Sequence, residues 1–220
     1  MRKDRRPPVT LVIAGQREDN QPPIRYAISF CKPHPGLCRN THPPPSHIKW
    51  HPPPPNSLKA NFDGSLLPPS CVATGFVVCN SDGIPVLATS QNLGRLGILL
   101  AEDVALCVGL QLLATYTTQP IIIEGDSKLL LDALNALNDR SQIPWRLKVL
   151  VRDIQALSSH FQSISFKHVW REANFLADSL AKLGHSCNSP QLWISYLPLF
   201  LANAFQLDLF GGGCAQGFSL

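Results

Sequence analysis

The chain has 220 residues, of which 45% are hydrophobic and 15% charged, with a net charge of +4. That balance excludes wholesale disorder and leaves room for one ordinary domain with appendages. The charge is uneven: residues 1–55 carry nine Lys or Arg against three Asp or Glu, and residues 56–185 carry ten against eleven.

Any general attraction to phosphate therefore belongs to the amino-terminal arm led by MRKDRR, if that arm is not simply solvated. Thirteen of the 20 prolines precede Asn56, and the runs HPPP and HPPPP favour polyproline II over helix or sheet. Residues 1–55 thus read as a poorly ordered, proline-rich extension. Within it, VTLVIAG (9–15) has strand character but no nearby partner, and CKPHPGLC (31–38) with His42 and His47 matches no familiar zinc-finger spacing. Seven scattered cysteines, an odd number, and no secretory signal point to a reducing compartment, nucleus or cytoplasm.

From Leu58 the pattern becomes that of a domain. LKANFD alternates apolar and polar residues, as a strand with one buried face does. CVATGFVVCN (71–80) reads as a second strand, NSDG (80–83) as a tight turn, and IPVLATSQNL (84–93) as a third strand. Gly75 inside the second strand marks a close backbone approach or a bulge. A helix follows from about Leu99 to Tyr116, then the β-branched run QPIIIEGDS (119–127), typical of a central strand. Ser127 opens a second helix to about Leu137, and Pro144 starts a third reaching Phe161. SISFKHVW (163–170) alternates as a strand, and EANFLADSLAKLG (172–184) is a helix stopped by Gly184.

The order β-β-β-α-β-α-α-β-α implies an α/β domain over residues 56–185. Three antiparallel strands are joined by two parallel ones through helical crossovers, making a five-stranded mixed sheet with helices on both faces. Residues 186–220 form a hydrophobic tail. Its tract LWISYLPLFLANAF (192–205) is too short to span a bilayer and reads as an amphipathic segment packed on the domain or on a partner. No membrane association and a monomeric domain are expected.

Four acids stand at suggestive points: Asp63 on the first strand, Glu102 in the first turn of the first helix, Asp126 at the end of the fourth strand and Asp178 inside the last helix. Each alone has an ordinary explanation as a turn residue, a helix-end charge, a strand-end cap or a solvated position. Together they would repel one another unless a cation neutralised them, and a hard, oxygen-preferring ion such as Mg2+ or Mn2+ suits such a set. Asp103 competes with Glu102, but adjacent helix residues point about 100° apart.

The set NFDGS, AEDVALCVGLQLL, IIIEGDS and HVWREANFLADSLAKLG resembles the type 1 ribonuclease H family, in the form found in plant proteins related to retroelements. The resemblance covers about residues 50–185 and implies the ribonuclease H-like fold. It further implies a metal-dependent endonuclease that cuts the RNA strand of an RNA–DNA hybrid. Asp63, Glu102, Asp126 and Asp178 would be the catalytic, metal-holding acids, with two Mg2+ ions (Mn2+ a substitute). Asn61, Ser65, Ser127, Arg171 and Asn174 lie near these acids in sequence and are candidate contacts to 2′-hydroxyls and phosphates. No catalytic histidine is assigned: His168 falls in the fifth strand and His185 beyond the last helix. The alternative is a catalytically weak or inactive nucleic-acid-binding or retroelement-derived module of the same fold.

Overall fold

A computed structural model describes residues 48–95, 98–136, 143 and 147–211. The extension up to residue 47, including VTLVIAG and the cysteine–histidine cluster, lies outside the described residues. So do most of the stretch between the second and third helices and the last nine residues.

The elements run β1 (Leu58–Leu67), β2 (Cys71–Cys79), β3 (Pro85–Arg95), α1 (Ile98–Tyr116), β4 (Ile121–Gly125), α2 (Lys128–Asn135), α3 (Lys148–Ser158), β5 (Ile164–His168), α4 (Phe175–Gly184), β6 (Gln191–Ile194) and α5 (Ala202–Phe210). They build one mixed sheet in the order β5-β4-β1-β2-β3-β6. β1, β2 and β3 are antiparallel neighbours, and β4 and β5 add in parallel on the β1 side. The five expected strands are present with the expected directions. The sheet has a sixth strand that the sequence reading did not contain: β6, from the hydrophobic tail, pairs antiparallel with β3 from Leu87↔Ile194 to Ser90↔Gln191. Its four residues are too few for periodicity to register, so the tail read only as an amphipathic segment.

Local chemistry accounts for several boundaries. In the β2–β3 turn, Asn80 Oδ1 accepts the backbone N–H groups of Asp82 (3.0 Å) and Ile84 (2.9 Å), and Gly83 takes φ +75°, which a side chain would resist. The last helix starts later than expected. Arg171–Ala173 form a short 3₁₀ turn, and Asn174, at φ −140°, breaks from helical geometry before α4 begins. β1 does not end at Asp63: Gly64 pairs with Thr74, and the strand continues to Leu67.

Each sheet face has its own core. On one side Leu58, Ala60 and Phe62 of β1 pack with Phe76, Val78, Ile121 and Ile123 beneath α1, α2 and α3. On the other, Val77, Cys79 and Ala88 pack beneath α4 with Leu197, Leu201 and Ala204 of the tail. Trp50, which precedes β1 within the proline-rich stretch, is buried in this second core. Apolar burial on both faces anchors β1 at the centre of the sheet, and this holds the acids of the next section in place.

Candidate active site

The first acid is positioned by the two-residue period of β1. Phe62 points into the α1-side core, so Asp63 points to the α4 side, where it is 4% exposed. Its partner across the β1–β2 ladder is Gly75. A Cβ at Gly75 would stand 2.4 Å from both Ala177 O and Ala181 N, so only glycine lets α4 lie this close to β2. That approach brings Asp178, 3% exposed on α4, to the Asp63 side of the sheet. Gly64 does the same for α1: a Cβ there would meet Glu102 N at 2.9 Å. Asp126 follows β4, which pairs in parallel with β1, so its carboxyl leaves the sheet beside Asp63.

The four acids sense one another. Asp63 has its carboxyl held well above the usual range, first by burial, then by Asp126 and Asp178, with Arg171 opposing and Glu102 adding. Asp63 Oδ2 is buried without a hydrogen-bond partner. Asp126 is also raised by burial, against the pull of Arg171, a side-chain hydrogen bond with Asp63 and a backbone hydrogen bond. Two carboxyls in hydrogen-bonding reach must share a proton or accept a cation. Burial raises Glu102 as well, the Ser127 hydroxyl lowers it through a hydrogen bond, and Asp126 raises it. Asp103 is pushed up to about 7, mainly by burial and then by its neighbour Glu102, and raises Cys107, but it is not among the charges that shift Asp63 or Asp126. Glu102, not Asp103, therefore belongs to the cluster.

Asp178 is engaged by cations on both oxygens: Arg171 donates to Oδ1 at 2.7 Å, and Lys182, one turn along α4, stands 2.7 Å from Oδ2. Among the described residues no three His, Cys, Asp or Glu side chains stand in ready-made metal-ligating geometry. The donor set still fits a hard divalent cation. It is all oxygen, it is charged when ionised, and it contains one buried carboxylate oxygen with nothing bound to it.

The candidate substrate contacts divide. Arg171, whose side chain is 57% exposed, and Ser127, beside Glu102, stand at the cluster. Ser65 is half-buried two residues past Asp63 on β1. Asn61 and Asn174 are buried, at 5% and 1% exposure, and their amides are taken up internally. Asn61 Nδ2 donates to Asn174 Oδ1 at 3.0 Å, Asn174 Nδ2 donates to Phe62 O at 3.1 Å, and Trp50 Nε1 donates to Asn61 Oδ1 at 2.9 Å. In the structure these two amides are therefore internal struts, not groups presented to a ligand. Their assignment as contacts rested on nearness in sequence, which does not reveal burial.

Sequence reasoning missed the rest of that network. Lys59, 7% exposed, forms an ion pair with Glu124 at 2.7 Å, donates to His51 O at 2.7 Å and lies 5.3 Å from the Trp50 ring centroid. The available signal was that Lys59, Asn61 and Asp63 occupy one parity of β1, so whatever buries one buries all three. A cavity of about 790 Å³ lies elsewhere, at the carboxyl end of α4 against β6, lined by residues including Leu183, Cys187, Trp193 and Phe200. None of the four acids borders it.

A three-plus-two mixed sheet with acids on β1, α1, after β4 and on α4 defines a ribonuclease H-like domain. The chain belongs to the reverse transcriptase-like family, whose model matches residues 61–184. Among solved structures it is similar to ribonuclease H1 of the archaeon Halobacterium salinarum, at 29% identity and TM-score 0.53, over 59% of this chain and 98% of that one. It is also similar to the N-terminal ribonuclease H domain of Rv2228c from Mycobacterium tuberculosis, at 27% identity and TM-score 0.53, over 59% of this chain and 94% of that one. Among curated proteins none matches the chain. No described helix is long and apolar enough to cross a membrane.

Proposed function

We propose that the chain is a metal-dependent endonuclease that hydrolyses the RNA strand of RNA–DNA hybrids. The observation that carries this reading is Asp63: a buried carboxylate at the centre of the sheet, with a bare oxygen, electrostatically coupled to Asp126, Asp178 and Glu102. A structural role would leave such a group paired, because an unsatisfied buried carboxylate oxygen is costly. The likeness to a ribonuclease H1 at 29% identity and to a ribonuclease H domain at 27% supports the same reading.

Asp63, Asp126, Glu102 and Asp178 would hold Mg2+ or Mn2+ as a pair of ions. The chemistry such ions would supply there is activation of the attacking water and charge compensation for the departing 3′ oxygen. The chain's own residues do the rest. Asp63 and Asp126, whose carboxyls stand in hydrogen-bonding reach of each other, would both have to be ionised to hold a cation. Ser127 orients Glu102 through its hydroxyl. Arg171, at the mouth beside Asp178, offers exposed guanidinium donors to a backbone phosphate, a geometry suited to bidentate contact.

The test is cleavage by the full chain. RNA in an RNA–DNA hybrid should be cut with Mg2+ and not with EDTA, and Asp126→Asn at matched folding should be inactive. Equal behaviour of the two proteins would leave a non-catalytic nucleic-acid-binding module as the function of the fold.

A further inference from the structure

The helix that carries Asp178 is not capped by its own sequence. α4 begins at Phe175, so its first backbone N–H groups need acceptors from outside the helix. Asn174 is the residue type that caps best, yet its side chain makes no capping bond. Its amide is committed to Asn61 and to the Phe62 carbonyl. The acceptor comes from more than thirty residues downstream. Asp208, on α5, accepts Phe175 N–H on Oδ1 at 3.1 Å and Leu176 N–H on Oδ2 at 2.9 Å.

This is a built contact. Asp208 is 8% exposed, and α5 is fixed by Ala204 in the second core, with Leu201 buried just before it. Leu209 lies over the β2–β3 turn, where a Cβ on Gly83 would meet it at 2.3 Å. β6 ties the same segment to β3. A carboxylate at a helix N-terminus also faces the positive end of the helix dipole. Burial pushes the Asp208 carboxyl up to about 7 against the two backbone bonds that lower it, and Glu124 and Asp178 add to the rise.

The geometry has a consequence at the carboxylate cluster. Leu176 is two residues from Asp178, and Asp178 N–H bonds back to Asn174 O at 3.0 Å, within the same turn. Whatever fixes this turn fixes where the Asp178 carboxyl stands relative to Asp63. β6 and α5 lie beyond residue 184, where the match to the reverse transcriptase-like family ends. The cap is thus supplied by a part of the chain that the family match does not include.

We propose that Asp208 is a positioning residue for Asp178, capping α4 from α5, and that residues 191–210 are a working part of the active domain. The proposal rests on the nuclease reading for its effect on turnover, but the cap can be tested independently of it.

The experiment uses the full chain as wild type, Asp208→Ala, Asp208→Asn and a control, Ile154→Val. Ile154 is buried in the opposite core on α3, so the control loses stability without touching α4. Amide exchange is followed at Phe175, Leu176 and Asp178 under conditions where all four proteins are folded. kcat and KM on a hybrid with Mg2+ are measured beside Mn2+ binding. In Asp208→Ala the Phe175 and Leu176 amides should exchange about tenfold faster, a local opening that the control does not show. kcat should fall about 100-fold with KM within twofold, the mark of a misplaced group and not of lost substrate binding. Asp208→Asn, which keeps one acceptor oxygen, should fall between the two.

Unchanged exchange, or unchanged kcat in folded Asp208→Ala, would overturn the proposal. A loss of kcat equal to that of Ile154→Val would overturn it too, since the effect would then be general destabilisation. If wild type cleaves nothing, the nuclease reading fails by itself. Exchange and Mn2+ binding then decide the cap: weaker Mn2+ binding with faster exchange in Asp208→Ala supports it, and no change in either sinks it.

Discussion

The two faces of β1 are both interior, yet they are built of different material. Leu58, Ala60 and Phe62 join an aliphatic and aromatic core beneath α1, α2 and α3. Lys59, Asn61 and Asp63, one residue out of phase, are also buried, but as an ion pair, an amide strut and a carboxylate with a bare oxygen. The first face can be stabilised by any well-packed apolar volume. The second has to satisfy each polar group individually, and it leaves one oxygen without a partner at the point where the acids meet. The proposed chemistry would lie on the face where polar satisfaction is incomplete.

The largest effects should separate the faces by how they tolerate replacement. Phe62→Ala should cost about 3–5 kcal/mol, the transfer and cavity cost of a large buried ring. Lys59→Ala should cost a similar amount, about 3–5 kcal/mol, because it leaves Glu124 buried and unpaired. The difference appears in the double replacement Lys59→Met with Glu124→Met, which should recover most of that loss in urea unfolding. A double variant as unstable as Lys59→Ala would mean that the ion pair itself stabilises the polar face, and the contrast would fail.

The next test concerns the distance between the polar face and its cover. Gly75→Ala puts a methyl group against Ala177 O and Ala181 N, both backbone, so α4 must move. The expected cost is about 1–3 kcal/mol, as for overpacking elsewhere, with loss of hybrid cleavage out of proportion to stability. Gly94→Ala makes a useful contrast: φ there is +71°, but nothing lies within 4 Å, so only backbone strain should be felt and cleavage should be spared. Thermal unfolding beside cleavage rate would show both.

How far this architecture could be read from the sequence depended on what each signal senses. The element order and strand directions followed from periodicity and short connections; Gly75 inside a strand read as a close approach or a bulge, and the structure selects the close approach. β6 did not, being four residues long and far from the strand it joins. The four acids were read as a set from their places along the expected elements and from the resemblance to the ribonuclease H family; Glu102 falls one turn inside α1, not in its first turn. Asn61 and Asn174 were misread because sequence distance to Asp63 and Asp178 says nothing about whether an amide faces solvent. Trp50 was hidden by the prolines around it, and Asp208 by being the lone acid in an apolar tail. Both act through contacts that only tertiary folding creates.

A charge test sharpens the comparison further. Asp63 has a folded-state carboxyl raised above its unfolded value, so it binds its proton more tightly when folded. Its contribution is therefore full below about pH 4 and is lost as pH rises through the folded value. Asp126, Glu102 and Asp208 are raised in the same direction and add to the same slope. In EDTA, wild type should be less stable at pH 8 than at pH 5. Asp63→Asn should be the more stable protein at pH 8, by about 1–2 kcal/mol, since a neutral amide avoids burying the charge. Mg2+ should narrow that gap by favouring the ionised wild type. Urea midpoints in which Asp63→Asn is the less stable at pH 8 without metal would show that the bare oxygen carries no strain.

The smallest expected effect tests whether the polar face is one connected structure. Trp50 Nε1 donates to Asn61, Asn61 donates to Asn174, and Asn174 both donates to Phe62 O and accepts the Asp178 N–H at the start of α4. Trp50→Phe keeps an aromatic ring near Lys59 but removes the first donor, leaving Asn61 Oδ1 short of a partner. The loss should be about 1 kcal/mol, the net worth of one buried hydrogen bond. In a connected network the cost should be shared: Trp50→Phe and Asn174→Ala together should cost less than the sum of the two alone, a coupling that a double-mutant cycle reads directly. Strict additivity would mean that Trp50 packs against the second core without helping to orient the strand that carries Asp63. The polar face would then divide into separate local contacts, and α4 would take its position from Asp208 and Gly75 alone.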